Sequence, residues 1–541
     1  MNLFKKSALY WNTLKYVRYS QIIYRLYYHV RPKPQHKSFS CELFELNGAW
    51  IHTKNNCFTQ LKDKESISLL GIKGIANKWM PEDKDKLWIY HLHYFDYAAD
   101  HLPNIDNSRI QKLITSWITG NKMGEGPGWE AYPLSLRIVN WIKFSLNGNI
   151  ISEEIIESLG LQAWYLNKNI EYHLMGNHLF RNAKALFFAG SFLNTEYSQN
   201  WLTKGAEIIK KELEEQVLND GGNFELSPMY HCNMLQDILD LINLQNRYPS
   251  EQLTDLLEKL HHKASSMLRW LSFMTHPDGE VAFFNDAAFK MSLNLSELRK
   301  YAQELGIEDQ IEDSGTTIHL KDSGYGIVSL NKFKLICDIG EIGPSYMPGH
   351  GHSDVLSFEL SVNDKRVFVN SGTSLYGLTK ERLEQRKTKA HNTVEVDYLD
   401  SSEVWSGFRV AKRANPNNIH VEENCIKASH SGYQRLKGDV IHSREWKVYD
   451  RKLEIKDNIS GKFDVAIAYY HLHPQIGIVK KGPDTYELSH DDGGCYEFRI
   501  LGGKSKLISS FWYPEFGLSI PNKTFHIEIE DREAVCYLEI L

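Results

Sequence analysis

Four titratable side chains in two short stretches could carry chemistry. His350, His352 and Asp354 lie in MPGHGHSDVLSFELSV, which begins at residue 347, and His391 lies in KAHNTVEVD. Imidazole nitrogens and carboxylate oxygens form a ligand set that suits zinc or a similar divalent ion. Histidine also changes charge near neutral pH and therefore suits acid–base catalysis. The alternative is that this loop only caps the strand that follows it.

A second candidate is the stretch EYHLMGNHLFRNAKALFFAG. Gly176 is expected to end one helix and Asn177 to cap the next. A helix start offers free N–H groups and a partial positive charge, so Asn177 and His178 could bind a carboxylate there. The alternative is that Asn177 only caps the helix and His178 is a surface residue.

A third candidate is Tyr230 in GGNFELSPMYHCNML. The Ser-Pro pair before an apolar period is typical of a helix start, which places Tyr230 in the first turn. The pKa of an unperturbed phenol is about 10, so a catalytic tyrosine needs nearby cations that lower it. The alternative is a buried tyrosine whose hydroxyl is satisfied by a hydrogen bond.

The chain that must position these residues has two halves, each with its own spacing of apolar residues. At 541 residues the chain exceeds one ordinary hydrophobic core. Before residue 315, apolar residues recur with a helical period, as in SEEIIESLGLQAWYLNKNIEYHL, and many consecutive helical hairpins favour an α-solenoid or a closed α/α toroid. After it, apolar and polar residues alternate, which predicts an antiparallel β-sandwich. We expect an α+β multidomain protein with a lead-in at 1–60, a toroid domain at 61–314 and a β-sandwich domain at 315–541.

Two hairpins are predicted in the second half. VLSFELSV returns through an NDK turn into RVFVNSG, and KTFHIEIEDREAVCYLEIL forms another hairpin at the end. With a two-residue turn at Asn363 and Asp364, Asn370 lies opposite Ser357 and not opposite His352. The loop at 348–354 must therefore fold back over the sheet if His352 and Asn370 are to share an ion.

Composition excludes several classes of protein. The net charge of −6 gives no reason to expect nucleic acid as a partner. Seven scattered cysteines without a CxxC pair argue against a disulfide framework and a thiolate zinc site. No apolar run approaches the length of a membrane span.

The first residues, MNLFKKSALYWNTLKYVRYSQIIYRLYYHVRPKP, predict a basic, aromatic, amphipathic helix. It either packs against the body of the protein or makes peripheral contact with an anionic membrane. The stretch does not resemble a secretory signal. We therefore expect a cytoplasmic or membrane-peripheral location, with the periplasm left open.

Seven stretches stand in a fixed order along the chain: LWIYHLHYFDY, YPLSLRIVNWIKF, GNHLFRNAKALFFAG, ELSPMYH, GHGHSDVLSFEL, VNSGTSLY and AHNTVEVD. Together they resemble the heparinase II/III-like polysaccharide lyases, closest to the heparinase III branch. The resemblance runs from roughly residue 85 to at least 415. It implies an incomplete N-terminal α/α toroid followed by a C-terminal antiparallel β-sandwich.

The resemblance also implies roles for individual residues. Asn177 would hold the substrate carboxylate with His178 beside it. Tyr230 would be the catalytic tyrosine and His350 the second acid/base residue. The implied catalytic set is therefore Asn177, His178, Tyr230 and His350.

Metal-binding relatives imply His352, Asn370 and His391 as ligands. An asparagine stands at position 370 where those relatives carry an aspartate. A neutral amide oxygen contributes no negative charge, so a structural zinc or calcium ion would be held more weakly.

An anionic substrate needs further contacts in the cleft. The candidates are Arg137, Asn140, Tyr376 and Arg386, although Arg137 could equally tie adjacent helices together. The lysine-rich surface expected for highly sulfated heparin is not evident, which favours a less sulfated uronate polysaccharide or oligosaccharide.

The implied reaction is β-elimination from a uronate-containing chain, in which hydrogen bonds to the carboxylate strengthen as the enolate forms. Two alternatives stay open. A glycoside hydrolase on the same scaffold needs two opposed carboxylates, and residues such as Glu225, Asp237 and Asp354 leave that possible. A non-catalytic polysaccharide-binding protein, for instance one that assists exopolysaccharide synthesis, is the other.

Overall fold

The computed structural model describes residues 3–32, 34–53, 60–61, 66–99, 107–308, 315–491 and 493–541. Helices dominate up to residue 308, and antiparallel strands dominate from residue 315 onward. The expected combination of an α/α toroid and a β-sandwich is thus confirmed. The predicted domain boundaries near 60 and 314 adjoin residues outside the described ranges.

The helices of the described residues pack against one another, with α8 against α6, α7 and α9 and α10 against α11. Their bounds are α1 (Leu3–Leu14), α2 (Tyr19–Val30), α3 (Lys86–Tyr94), α4 (Asp96–Ala99), α5 (Asn107–Gly120), α6 (Ala131–Leu146), α7 (Glu153–Lys168), α8 (Gly176–Phe192), α9 (Ser198–Gln216), α10 (Pro228–Arg247), α11 (Thr254–Met274), α12 (Leu295–Glu304) and α13 (Lys380–Gln385).

Helix α7 shows why the sequence pattern was informative. Ile155, Leu159, Ala163 and Leu166 recur at helical spacing and are all fully buried. The helix ends at Lys168, earlier than the predicted stretch. The chain turns there because the side chain of Asn182 on α8 accepts a hydrogen bond from the backbone N–H of Glu171 (2.7 Å).

Short strands accompany the helical half, and longer ones build the sandwich. The bounds are β1 (Glu42–Leu43), β2 (Gln60–Leu61), β3 (Ser66–Leu69), β4 (Ile72–Ile75), β5 (Leu193–Asn194), β6 (Thr317–Leu320), β7 (Tyr325–Leu330), β8 (Phe333–Asp338), β9 (Phe358–Val362), β10 (Lys365–Phe368), β11 (Val394–Val396), β12 (Val404–Trp405), β13 (Arg409–Val410), β14 (Pro416–Glu422), β15 (Cys425–His430), β16 (Ile441–Val448), β17 (Lys452–Ser460), β18 (Ala466–His471), β19 (Gly477–Gly482), β20 (Thr485–Ser489), β21 (Cys495–Leu501), β22 (Gly503–Trp512), β23 (Ile520–Ile529) and β24 (Glu533–Ile540).

Three antiparallel sheets form the sandwich. Their strand orders are β10-β9-β8-β7-β6, β11-β18-β23-β22 and β14-β15-β16-β17-β24-β21-β20-β19. The predicted hairpin at the end of the chain is wrong, because β23 pairs with β18 and β22 whereas β24 pairs with β17 and β21. Phe525 and Leu538 are buried in the same core from opposite sheets, and this shared core explains the alternation of both strands.

The hairpin of β9 and β10 carries the candidate site at its base. The predicted two-residue turn is confirmed, since Lys365 pairs with Val362. A register shift between Arg366 and Phe368 then changes the pairing further along. Both faces of β9 are buried, including the polar side chain of Glu359.

Hydrogen bonds join the toroid to the sandwich along the segment between α11 and α12. The carboxylate of Glu359 accepts from the backbone N–H of Phe283 (3.1 Å), and that of Asp354 accepts from the N–H of Asn285 (3.2 Å). The hydroxyl of Tyr325 donates to the carbonyl of Leu226 (2.7 Å). These bonds bring the loop before β9 against the segment between α11 and α12, and β7 against the residues that precede α10.

The first residues form two helices, α1 and α2, where the sequence predicted one. The side chain of Thr13 donates to the carbonyl of Val410 (3.2 Å), and Gln21 donates to that of His173 (3.4 Å). The pair therefore contacts both the sandwich and the toroid. Within the described ranges, no helix combines the length and the apolar character needed to cross a membrane.

Candidate active site

Asn177 lies in the first turn of α8, one residue inside the helix. The cap position is Met175, which has a positive φ of 65°, and Gly176 follows with a φ of 55°. The prediction that Asn177 caps the helix is therefore wrong by two residues. A side chain at Gly176 would collide with Met347 at 2.1 Å, so glycine lets the loop that carries His350 approach this turn.

Tyr230 and His350 contact each other where the two halves of the chain meet. Ser227 caps α10 by accepting a hydrogen bond from the backbone N–H of Tyr230 (3.2 Å), which confirms the predicted first-turn position. The ring centres of Tyr230 and His350 are 4.0 Å apart. The hydroxyl of Tyr376 lies 3.0 Å from that of Tyr230. The helical half and the sandwich thus each contribute side chains to one cluster.

Asp286 orients the ring of His350. Its carboxylate lies 2.7 Å from Nδ1 of His350 and 2.8 Å from Nε2 of His352, and it also accepts two hydrogen bonds from Arg382. Burial alone would raise the pKa of Asp286, but Arg382 and the two histidines hold it well below its usual value. Because the carboxylate can only accept, His350 donates through Nδ1, which directs Nε2 toward Glu225.

Glu225 stands on the other side of His350. Its Oε2 is 3.5 Å from Nε2 of His350, and its side chain accepts from the backbone N–H of Asn177. Burial raises the pKa of this carboxyl, although His350 and that N–H oppose the shift. Among the described residues, Glu225 Oε2 has no hydrogen-bond partner within the protein.

The expected cations that would lower the pKa of Tyr230 do not dominate its surroundings. Burial raises the pKa of Tyr230 well above its usual value, and the neighbouring Tyr376 raises it further. The phenol is therefore a proton donor at neutral pH. This makes Tyr230 suited to be a general acid.

Asn177, Glu225 and Tyr230 line one narrow cleft together with Arg181 and Asp237. Arg181 and Asp237 form an ion pair (3.0 Å) along its wall. A wider depression of about 570 Å³ at the end of α11 contains none of the candidate catalytic residues. The narrow cleft is the candidate active site because the chemistry-bearing side chains converge there.

His178 follows Asn177 in the first turn of α8. Its Nδ1 is 3.2 Å from Oε2 of Glu171, and its ring packs against Tyr132 with 4.4 Å between ring centres. About a third of the side chain is exposed (34%).

Three of the four predicted substrate-binding residues are buried. Arg137 is 0% exposed and donates to Gln162 (2.8 Å), so it ties helices together and does not reach the cleft surface. Asn140 donates to Asp96 in the same way (2.8 Å). Arg386 is also fully buried, but it donates to the carbonyl of Gly351 (2.7 Å) and thereby fixes the loop between His350 and His352. Of this set, only Tyr376 lies in the site.

His352, Asp354 and His391 form a group that could hold a metal ion, with their ligand atoms within 4.8 Å of one another. Nδ1 of His352 is 3.0 Å from Nε2 of His391. The other nitrogen of each ring donates, to Asp286 from His352 and to the carbonyl of Lys387 from His391. Burial lowers the pKa of both histidines to about 4. Two lone pairs therefore face each other at neutral pH, an arrangement that a bound cation would stabilise.

Asn370 is a less suitable ligand than the sequence predicts. Its side-chain oxygen accepts from the backbone N–H of Asn392 (3.0 Å), and its amide donates to the carbonyl of Phe283 (2.9 Å). The buried carboxylate of Asp354 lies beside the two histidines instead. The structure thus brings together His352, Asp354 and His391 from the set that the HxHxD pattern and His391 indicate, and His350 is not part of this group.

Sequence reasoning missed Asp286 and Arg382. Asp286 sits in a short AFFND stretch between α11 and α12, with no pattern that marks it as functional. Its partners are 64 residues away at His350 and 96 residues away at Arg382. Such a distant constellation becomes visible only when the two halves have packed.

Two family models match the chain. Residues 145–311 match the heparinase II/III N-terminus, and residues 313–540 match the heparinase II/III-like C-terminal domain. The two matches together cover most of the chain and include every candidate catalytic residue.

Curated relatives match at low identity. A heparin-sulfate lyase of Bacteroides stercoris is 25% identical over 68% of this chain and 57% of its own length. A heparin-sulfate lyase of Pedobacter heparinus is 25% identical over 50% of this chain and 42% of its own length. The chain therefore spans less than two thirds of the length of these relatives.

Solved structures share the fold. Heparinase III superposes with a TM-score of 0.70 at 17% identity, over 86% of this chain and 79% of that one. A mutant of the heparan sulfate lyase HepC from Pedobacter heparinus superposes with a TM-score of 0.61 at 16% identity, over 89% and 81%. With both halves of the fold and both family models matched in order, the chain belongs to the heparinase II/III-like family.

Proposed function

We propose that the protein is a polysaccharide lyase that cleaves a uronate-containing chain by β-elimination. The observation that carries the proposal is the convergence of Tyr230 and His350, 4.0 Å apart between ring centres, on a cleft that Asn177 also lines. A phenol and an imidazole that contact each other at one site can exchange protons with neighbouring atoms of one bound sugar ring. The names of the relatives, heparin-sulfate lyases, support the same class of reaction.

Asn177 and His178 would bind the uronate carboxylate. They occupy the first turn of α8, where backbone N–H groups and the helix dipole favour negative charge. As the C5 proton leaves, charge moves onto the carboxylate, and hydrogen bonds to it strengthen. This differential binding lowers the barrier to forming the enolate.

His350 and Tyr230 would carry the protons. Nε2 of His350, whose other nitrogen is held by Asp286, takes the C5 proton. The electron pair left at C5 forms the C4–C5 double bond, and the C4–O bond to the neighbouring sugar breaks. Tyr230, a proton donor because burial raises its pKa, protonates the departing oxygen. The hydroxyl of Tyr376 can then stabilise the phenolate (3.0 Å).

The substrate we propose is a weakly sulfated or unsulfated uronate polymer. The arginine that lines the cleft, Arg181, is already paired with Asp237, and Glu225 adds a carboxyl to the same wall. Sulfate groups at this position would meet little unpaired positive charge. Identifying the polymer that is cleaved will define the length and sugar sequence of the substrate and the endo or exo mode of cleavage.

We also propose a structural divalent ion, zinc or calcium, behind the catalytic loop. His352, Asp354 and His391 would hold it. It would supply a fixed positive charge that keeps the two facing imidazoles in place. The mixed nitrogen and oxygen set favours zinc over calcium.

The test is a screen of uronate polysaccharides for products with an ultraviolet-absorbing double bond. The wild-type protein is expected to generate this absorbance, and Tyr230→Phe is expected to lose ~10³-fold in turnover while it still binds the polymer. Tyr398→Phe, on an exposed tyrosine (71%), is the matched control and should retain full turnover.

Product analysis separates the rival functions. Glu225 and Asp237 line the same cleft, as a hydrolase would require, but Asp237 is engaged by Arg181 and Lys184. Shortened chains with saturated ends would overturn the lyase proposal in favour of a hydrolase. Binding without turnover, equal in the wild type and in Tyr230→Phe, would identify a binding protein.

A further inference from the structure

Helices α1 and α2 expose an apolar face to solvent. We call this the outer face, and its residues are Trp11 (72%), Leu14 (56%), Tyr19 (86%), Ile23 (63%), Leu26 (63%) and Val30 (77%). On α2 these positions recur every three or four residues and so lie along one side of the helix. Contiguous exposed apolar surface of this kind usually marks a docking site.

The inner face of the same helices is the more polar one. Gln21 is buried (4%) against the toroid, and Tyr28 donates to the carbonyl of Ile170. Thr13 accepts from the indole N–H of Trp405 (3.1 Å) on the sandwich. An amphipathic helix normally buries its apolar stripe. Here the polar and aromatic side is anchored to the body, and the aliphatic side is left for something else.

The charge around the outer face is strongly one-sided. Residues 1–41 contain eight of the 62 Lys and Arg residues and none of the 68 Asp and Glu residues of a chain whose net charge is −6. Lys15 directly follows α1, Arg25 lies on α2, and both are exposed. A basic segment on an otherwise acidic protein indicates an anionic partner.

We propose that the outer face docks on the surface of an anionic lipid bilayer. Each helix has 12 residues, too few to span the hydrocarbon core, so the pair would lie in the plane of the interface. Trp11, Tyr19 and Tyr27 supply the aromatic rings that favour this depth. The basic residues supply the attraction to acidic headgroups.

Docking in this way would orient the cleft. Arg18 at the start of α2 pairs with Glu215 and stacks on the ring of Tyr346 at 3.7 Å. Tyr346 belongs to the loop that leads to His350. The helices are therefore fastened to the wall of the cleft, and a docked protein would hold the cleft beside the membrane. The proposal does not depend on the lyase activity.

The test is co-sedimentation of the full-length protein with vesicles. Vesicles of phosphatidylglycerol and phosphatidylcholine are expected to bind the wild type, and vesicles of phosphatidylcholine alone should bind it at least ~10-fold more weakly. Replacing Ile23, Leu26 and Val30 by serine should weaken binding at least ~10-fold. Lys15→Gln and Arg25→Gln should each weaken it about fivefold, and added salt should do the same.

The matched control replaces three exposed apolar residues far along the chain, Ile150 (89%), Leu378 (82%) and Val479 (51%), by serine. It should bind vesicles like the wild type. Circular dichroism and the thermal midpoint confirm that each variant is folded. Equal loss in the control would overturn the proposal. Absence of vesicle binding would also overturn the proposal if light scattering detects a dimer that the Ile23, Leu26 and Val30 variant abolishes. The outer face would then join two copies of the chain.

Discussion

Two buried clusters in this protein use the same residue types, histidine, aspartate and arginine, with different consequences. The core cluster, His430, His442, Arg444 and Asp457, lies inside the sandwich, and all four residues are at most 1% exposed. Arg444 donates twice to Asp457 (2.7 and 2.8 Å). Nε2 of His442 lies 2.7 Å from the same carboxylate.

Proton positions in the core cluster are mutually consistent. The backbone N–H of Gly432 donates to Nδ1 of His430, so Nε2 of that ring carries a proton and donates to His442 (3.2 Å). His442 in turn donates to Asp457. Each neutral imidazole thus has one donor and one acceptor in use, and no ligand is needed.

The cleft cluster, His350, His352, His391, Asp286 and Arg382, lacks this consistency. His352 and His391 direct two lone pairs at each other, 3.0 Å apart. Nε2 of His350 lies 3.5 Å from Oε2 of Glu225, and the side chain of His350 is 17% exposed. The comparison teaches that residue type does not distinguish a structural cluster from a functional one. Unsatisfied lone pairs and access to solvent do.

The largest expected effect separates the two clusters directly. His350→Gln should lower turnover ~10³-fold, about 4 kcal/mol in the barrier, because the proposed base is lost. Its free energy of unfolding should change by less than about 1 kcal/mol, since the ring is partly exposed. His442→Gln is the matched variant. It should lower the free energy of unfolding by ~2 kcal/mol and retain full turnover per folded molecule. Steady-state kinetics and urea unfolding check both, and a reversal of the two patterns would break the comparison.

The second prediction concerns Asp457. Asp457→Asn should destabilise the protein by about 3 kcal/mol, because Arg444 would stay buried without its counter-charge. Arg444 and His442 hold the pKa of Asp457 far below its usual value, against the effect of burial. A depressed pKa stabilises the fold above the unfolded value of about 3.9, and this contribution is lost as the pH falls.

The gap in unfolding free energy between the wild type and Asp457→Asn should therefore be widest near neutral pH and shrink below about pH 4. Urea unfolding at a series of pH values measures it. A gap that stays constant, or widens in acid, would contradict the assignment.

The third prediction uses a metal ion. Zinc added to chelator-treated protein at about 100 times its Kd should stabilise the fold by roughly 2.7 kcal/mol. His391→Ala should abolish this response because it removes one ligand of the cleft cluster, whereas Glu395→Gln, on the neighbouring strand, should leave it intact. Thermal unfolding and elemental analysis provide the readouts. If the wild type contains no bound metal and does not respond to zinc, the proposed metal ion in the cleft cluster is contradicted.

The smallest expected effect is at Glu225. Burial raises the pKa of this carboxyl, so the wild type gains stability from it at low pH and loses that contribution as the pH rises above the unfolded value of about 4.3. Glu225→Gln should therefore be more stable than the wild type by about 1 kcal/mol at pH 7, because an unpartnered buried acceptor is replaced, and should show no gain at pH 4. If Glu225→Gln were more stable than the wild type at pH 4 only, the pH dependence would have the opposite sign to the one expected.

Much of the fold follows from local patterns. The apolar period of α7 and the Ser-Pro start of α10 depend on residues within one or two turns, and the structure reproduces both. The turn at Asn363 and Asp364 is equally local and is confirmed. The order of the family motifs linked the helical half to the strand half, and no local pattern contains that information.

Other features depend on contacts between distant parts of the chain. Arg137 could bind substrate or tie helices, and only packing against Gln162 and Trp117 decides for the second. The two strands of the final predicted hairpin lie in different sheets, because β23 pairs with β18 whereas β24 pairs with β21. Alternation alone cannot distinguish these outcomes, since both bury the same face.

The sequence by itself determined the order of the helical and strand halves, the first-turn position of Tyr230 and the loop of His350, because these depend on neighbours along the chain. Tertiary structure alone decided that Asp286 orients His350, that Asp354 joins the two facing histidines, and that α1 and α2 turn their aliphatic side outward. The reason is physical. Hydrogen bonds and desolvation act between atoms in space, and Asp286 is separated from His350 and Arg382 by 64 and 96 residues of chain.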